Sequence, residues 1–111
     1  MRSLVVAVVW ALGTLPAAGG FVTYSEWAAS PWEQRDGYIA GAFDTLTSVA
    51  SSDDESKLAL HRLNCVVGSK MNSDQLAQNV IAFASARPEL QGGTVQLALI
   101  KYLIALCGPA P

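Results

Sequence analysis

His61, Cys65 and Cys107 are the residues of this chain whose side chains could carry chemistry, since it has one histidine and two cysteines. His61 precedes Cys65 by four residues, so both would lie on one side of a helix and could approach Cys107. These are three potential zinc ligands, but an isolated His-x-x-x-Cys lacks the four-ligand spacing of ordinary zinc sites. The spacing favours a surface or half-buried histidine, and we predict no metal site.

The sequence lacks the other patterns that catalysis requires. A Ser-His-Asp arrangement needs an oriented base, and neither a nucleophile elbow nor an oxyanion-loop motif accompanies His61. A cysteine nucleophile is disfavoured if the two cysteines form a disulfide. Paired carboxylates, a phosphate-binding loop and a dinucleotide fingerprint are also missing from the sequence. We therefore predict that the protein is not an enzyme and needs no cofactor.

An acidic cluster, Asp53-Asp54-Glu55, could suggest calcium binding. The alternating ligands, central glycine and twelfth-position glutamate of an EF-hand loop do not follow it. Ser52 and Glu55 instead have the spacing of a capping box, and acidic residues favour the first turn of a helix. The cluster is interpreted as a helix start.

Composition limits the chain to one small, well-packed domain. It has 111 residues, of which 51% are apolar and 14% charged, so disorder is excluded as the main interpretation. The formal net charge is −2 and the basic residues are scattered. No nucleic-acid-binding motif is found, and we predict no nucleic-acid partner.

The N-terminus has the pattern of an export signal. Arg2 precedes an apolar run over 4–15, and Pro16 and the small residues of 17–20 follow. We predict a signal peptide over 1–20, an N-terminal arm over 21–30 and a helical domain over 31–108. An uncleaved membrane anchor is the alternative, because 4–22 approaches spanning length. The favoured interpretation is a protein exported to the periplasm, without stable membrane insertion after cleavage.

Export favours a disulfide between the two cysteines. In an oxidising compartment Cys65 and Cys107 most simply form one disulfide. Such a bond closes a loop of about 43 residues and contributes roughly 4 kcal/mol by the chain-entropy estimate. A bridge between two protomers and a free thiol are the alternatives.

Hydrophobic periodicity predicts an all-α fold, a small four-helix bundle with one disulfide. The most apolar helix, over 94–107, is apolar nearly all round and is predicted to be central. Its length is about 20 Å, short of a membrane core of about 30 Å. Three other helices are predicted, over 31–50, 53–65 and 73–86, the last of them capped by Ser73. The segment 89–93 is predicted to be a flexible loop.

Three further expectations concern the arm and the first helix. The aromatic residues Tyr24, Trp27 and Trp32 are expected to pack back on the bundle. Gly37 and Gly41 each cost about 1 kcal/mol in a helix interior, which suggests close approach of another backbone, such as the central helix. Asp44 is expected to pair with a cation, Lys101 or Arg62.

The order of short motifs resembles that of the Rap/Tai immunity family. The resemblance covers roughly 35–108, and its most specific part is the block containing Gly37, Tyr38, Gly41 and Asp44. The full order is Gly37-Tyr38-Ile39-Ala40-Gly41-Ala42-Phe43-Asp44, Cys65, Ser73-Asp74-Gln75-Leu76 with Val80, Arg87-Pro88-Glu89-Leu90, and an apolar helix ending in Cys107.

The resemblance implies a dimeric, disulfide-tied helical protein that protects bacteria from type VI secretion amidase effectors. Such a protein would bind a cell-wall amidase toxin in the periplasm and occlude its active site. Candidate contact loops are 68–72 and 89–93, because both contain glycine and lie within the disulfide loop. Two alternatives remain: a periplasmic acid-stress chaperone that exposes apolar surface when carboxylates are protonated, and an anchored accessory protein of the envelope.

Overall fold

The computed structural model describes residues 22–48 and 50–111. The described part of the chain is mainly helical and contains no strand, which confirms the predicted fold class. The proposed signal peptide over 1–20 lies outside the described residues. Six helices are found in the described ranges rather than four: α1 (Tyr24–Ala28), α2 (Trp32–Ser48), α3 (Asp53–Gly68), α4 (Ser73–Ser85), α5 (Pro88–Gln91) and α6 (Val95–Cys107).

Helix α6 is the centre of the bundle, as its sequence predicts. It contacts each of the other five helices, and its N-cap Thr94 accepts a hydrogen bond from the Leu97 amide at 3.1 Å. Four of its residues are completely buried: Val95, Ala98, Leu99 and Leu103. A fully buried leucine contributes about 1.5–3 kcal/mol, so this stripe is a major part of the core.

Although α6 is central, it is not enclosed on every side. Leu97, Ile104 and Leu106 are 39%, 50% and 41% exposed. Neighbouring helices cover one side of α6, and the described residues of this small bundle are too few to cover the other. The side that carries Leu97 and Ile104, which are seven residues apart, is therefore open, and Leu106 is exposed near the C-terminal end of the helix.

The arm over 21–30 contains helix α1, which packs on the core. Thr23 and Glu26 form a capping box at its start. Tyr24 and Trp27 are buried, and the Trp27 indole donates to the Arg35 carbonyl at 2.9 Å. The expectation for these two aromatic residues is confirmed. For Trp32 it is wrong, because that side chain, in the first turn of α2, is 60% exposed.

Helix α2 buries Asp36, Ile39 and Phe43, which recur at steps of three and four residues. It ends at Ser48, short of the predicted Ala50. Helix α3 begins after the expected N-cap, with Ser52 Oγ accepting from the Glu55 amide at 3.1 Å. The capping box is only half present, because the Glu55 carboxylate accepts from Ser51 instead of from the Ser52 amide.

Two boundaries near α4 differ from the sequence interpretation. Asn72, not Ser73, caps α4, and Asn72 and Gln75 form the reciprocal pair of a capping box. The amide side chain of Asn72 accepts from the Gln75 amide at 2.8 Å. The predicted flexible loop over 89–93 is wrong as well, because Pro88 starts the short helix α5 and Leu90 is buried. Proline is favoured at the first position of a helix, where its missing N–H costs nothing.

No helix in the described ranges is both long and apolar enough to cross a membrane.

Candidate binding surface

The predicted disulfide is confirmed: Cys65 of α3 and Cys107 of α6 are joined, with their Cα atoms 5.8 Å apart. It pairs the last residue of the central helix with a position three residues before the end of α3. The covalent link therefore fixes the C-terminal part of α3 on the core.

His61 lies next to this link as a half-buried residue, in agreement with the sequence interpretation. Its Nε2 is 2.8 Å from the Cys107 carbonyl oxygen, so Nε2–H is the donor. That carbonyl is among the last of α6, which have no partner within the helix. Within residues 22–48 and 50–111, no cluster of three or more metal-binding side chains is found. The histidine is a helix-end donor in this arrangement.

The block that carries the family resemblance lies on the outer side of α2. Gly37, Tyr38, Gly41 and Asp44 are exposed, and their positions are opposite the buried Asp36, Ile39 and Phe43 around the helix. The expected close approach at the glycines is wrong, since a Cβ added at Gly37 or Gly41 would meet no atom within 4 Å. The α6 backbone packs on the other side of α2, where the apolar residues are.

The expected ion pair of Asp44 is also wrong. The one salt bridge among the described residues joins Arg35 to Asp74, at 3.8 Å. Asp44 is exposed on the outer side of α2 and forms no salt bridge with Lys101 or Arg62.

The turn over 68–72 is the first of the two predicted contact loops. Gly68, Ser69 and Lys70 are exposed, and Val67 immediately before them is 64% exposed. The Ser69 amide caps the last carbonyls of α3, and the Asn72 box starts α4 directly afterwards. Lys70 has φ of 57°, the left-handed conformation that reverses the chain. The turn is thus exposed and fixed at both ends.

Met71 anchors the same turn from inside. It is half-buried, and its sulfur lies 3.4 Å from Asn79 Nδ2 and 3.8 Å from the Tyr102 hydroxyl. Tyr102 belongs to the central helix, so the turn is tied to the core by side-chain contacts. A surface with this support changes little on binding, which lowers the entropic cost of association.

The second predicted contact loop, 89–93, is built into the fold. The Gln91 side chain donates to the Ala84 carbonyl at 3.0 Å, and the Gly93 carbonyl accepts from the Tyr24 amide at 2.9 Å. Leu90 is buried beneath them. The backbone and side-chain groups of this segment are largely engaged internally, which makes it the weaker candidate for a contact surface.

A separate open cleft of 580 Å³ lies between α3 and the residues that follow α6. Leu58 and Ile104 supply apolar wall, and Lys57, Arg62 and Asp54 supply charge. These groups give the cleft an apolar wall with charged residues around it, a surface that another molecule could contact.

Sequence reasoning missed one feature, a buried carboxyl group at the contact of α2 and α4. Asp36 is 8% exposed, and desolvation raises the pKa of its carboxyl, with further contributions from the nearby Asp74 carboxylate. The signal was present in the sequence, because Asp36 stands three residues before Ile39 on the apolar stripe of α2. An acidic residue at such a position is uncommon.

No family model, curated protein or solved structure matches the chain.

Proposed function

We propose that this protein is an exported helical binding module that inhibits a peptidoglycan amidase by covering its active-site cleft. The support for the amidase is the motif order over 35–108, which resembles that of the Rap/Tai immunity family. The proposed location is the periplasm, which accords with the Cys65–Cys107 disulfide, a bond that is stable in oxidising compartments.

The single observation that carries the binding surface is the fixed, exposed turn between α3 and α4. Val67 presents an apolar side chain and Lys70 a cation, while the disulfide at Cys65 and the caps on both sides hold their backbone. Inhibitors that occlude enzyme clefts rely on rigid segments and a few central contacts. In this proposal, 67–70 enters the amidase cleft and excludes the peptidoglycan substrate.

The motif block of α2 supports the proposal in a second way. No atom of the described residues lies within 4 Å of a Cβ added at Gly37 or Gly41, so packing within one protomer does not require glycine at either position. Two helix glycines with no packing role in one protomer suit a face that another chain approaches. A second copy of this chain, in the dimer that the resemblance implies, is the occupant we propose for that face.

The test begins with the product of the adjoining reading frame, directed to the periplasm of a test bacterium. If that product lyses cells and this protein restores growth, the immunity role is supported. If it is harmless, or lyses cells regardless, the cognate-pair proposal fails.

A binding measurement then tests the surface. Val67→Asp is expected to weaken the complex by at least about tenfold, the effect of one central contact. Asn64→Asp, which adds the same charge at an exposed position of the same helix outside the cleft, is the matched control and should bind as the wild type does. Equal affinities for wild type and Val67→Asp would reject the turn as the contact, and absence of amidase binding at micromolar concentration would reject the inhibitor role.

A further inference from the structure

Asp36 is the one buried charged residue in the described part of the chain, and one of its carboxyl oxygens is unsatisfied. The residue is 8% exposed, and Oδ1 has no hydrogen-bond partner. Burial of an ionised carboxylate without full hydrogen bonding is costly, and such groups commonly become neutral instead. The fold therefore favours a protonated Asp36.

Asp74, in the first turn of α4, is the group that Asp36 meets across the helix contact. Arg35, the residue before Asp36, lies 3.8 Å from Asp74 Oδ1, so the contact groups Asp74 with the buried Asp36. Both the charge of Asp74 and hydrogen bonding to it raise the pKa of Asp36. Two neighbouring carboxylates repel each other, whereas a proton held between them converts the repulsion into a hydrogen bond. The α2–α4 contact therefore contains a pair of groups whose interaction changes sign when one proton is added.

The surroundings determine which carboxyl takes the proton. Asp74 receives a hydrogen bond from the Gln78 side chain at 2.6 Å, and the Arg35 guanidinium lies 3.8 Å from its Oδ1. Its position at the start of α4 also favours negative charge, because the helix dipole is positive there. Asp36 is thus the member of the pair whose pKa is raised, first by burial and then by Asp74.

The other charged groups that act on Asp36 belong to its own helix. Arg35 stabilises the ionised form of Asp36 and Glu33 opposes it, both less strongly than burial and Asp74. Helices α1, α3 and α6 also pack on α2. Within residues 22–48 and 50–111, none of these three contributes a charge that acts on Asp36.

We propose that Asp36 and Asp74 form a proton-operated clamp that holds α2 more firmly on α4 in mildly acidic surroundings than at neutral pH. The occupant is a proton and not a metal ion, because the described residues place no third metal-binding side chain beside the pair. The clamp does not depend on the proposed amidase or on any other partner.

The direction of the pH effect follows from linkage. Burial and the Asp74 charge raise the pKa of Asp36 in the folded protein above its unfolded value. The folded state then binds the proton more tightly than the unfolded state does, so stability increases as the pH falls through the folded pKa. The increase in stability is complete when the pH reaches the pKa of Asp36 in the unfolded chain, about 3.9. This sign is opposite to that required of a chaperone activated by acid unfolding.

Thermal unfolding of the whole chain between about pH 4.5 and pH 7.5 tests the clamp. Asp36→Asn replaces the acid by a neutral amide that donates to Asp74 at every pH in this range. We expect its Tm to exceed that of the wild type at the neutral end and the difference to shrink toward the acidic end. Asp44→Asn, an exposed change on the same helix, is the control and should preserve the wild-type pH profile.

Parallel Tm profiles for Asp36→Asn and Asp44→Asn would overturn the proposal. If Asp36→Asn does not fold, the wild-type carboxyl can be followed directly by the pH dependence of its ¹³Cγ chemical shift. A midpoint at or below the ordinary aspartate value of about 3.9 would then overturn the clamp. Addition of calcium chloride should leave the wild-type Tm unchanged, and a calcium-dependent rise that Asp36→Asn abolishes would assign the pair to a metal ion instead.

Discussion

The α3–α6 contact and the α2–α4 contact hold the same bundle by different chemistry. At the first, the Cys65–Cys107 disulfide and the hydrogen bond of His61 join α3 to the end of the central helix. At the second, a carboxyl pair lies beside the apolar stripe of α2. The first contact responds to reduction and the second to protons, so the two can be perturbed one at a time. A small domain with a limited core gains from the covalent link. The proposed carboxyl pair is expected to stabilise the fold less at neutral pH than in acid.

The largest expected effect is at the α3–α6 contact. The double variant Cys65→Ala/Cys107→Ala should lower the free energy of unfolding by about 4 kcal/mol, because the open loop restores entropy to the unfolded chain. Urea denaturation of oxidised wild type and the variant measures this change. The pH profile assigned to Asp36 should survive in the variant if it remains folded. A loss under about 1 kcal/mol would show that the link does little for stability.

Two glycine substitutions are expected to change stability in opposite directions. Gly108, which follows Cys107, has φ of 69°, so Gly108→Ala should cost about 1–3 kcal/mol through backbone strain. Gly41 is exposed in α2 with open space around it, and Gly41→Ala should add up to about 1 kcal/mol through helix propensity. Chemical denaturation of both variants gives the comparison. Destabilisation by Gly41→Ala would reveal a packing role for this outer side.

A smaller loss is expected from removal of the His61 bond. His61→Ala leaves the Cys107 carbonyl without its donor and should cost about 1 kcal/mol at neutral pH. His61→Gln retains a side-chain N–H near the position of Nε2 and should recover part of the loss. If the two variants unfold at the same urea concentration, the hydrogen bond contributes nothing to the α3–α6 contact.

The smallest effect concerns Glu55 and has the opposite pH sign to Asp36. Hydrogen bonds from Ser51 lower the pKa of Glu55, so its stabilising contribution is present above the ordinary glutamate value and is lost as the pH falls through the folded pKa. Glu55→Gln should reduce the loss of Tm in the most acidic part of the titration. Glu89→Gln, an exposed change in α5, is the control. Steeper acid unfolding in Glu55→Gln than in this control would contradict the assignment.

Helix boundaries and the disulfide show how much of the fold local sequence rules predict. The periodicity of 94–107 predicts α6, the cap at Ser52 predicts the start of α3, and the two cysteines predict the disulfide. The first two depend only on neighbouring residues, and the third depends on export to an oxidising compartment. Helix α5 was missed because four residues form a weak local signal, and the burial of Leu90 stabilises them. The N-cap of α4 was placed one residue late because Asn72 and Ser73 are both good capping residues.

The surroundings of Asp36 and the exposed side of α2 are decided by the tertiary structure. Sequence alone determined that this is an all-α chain with one disulfide, because those properties follow from helical period and from two cysteines. Which side of α2 meets the core, and hence the exposure of Gly37 and Gly41, depends on long-range packing. The same packing places Asp36 against Asp74, although 38 positions separate them in the printed chain. A carboxyl pair of this kind arises only when two helices meet, so no local pattern records it.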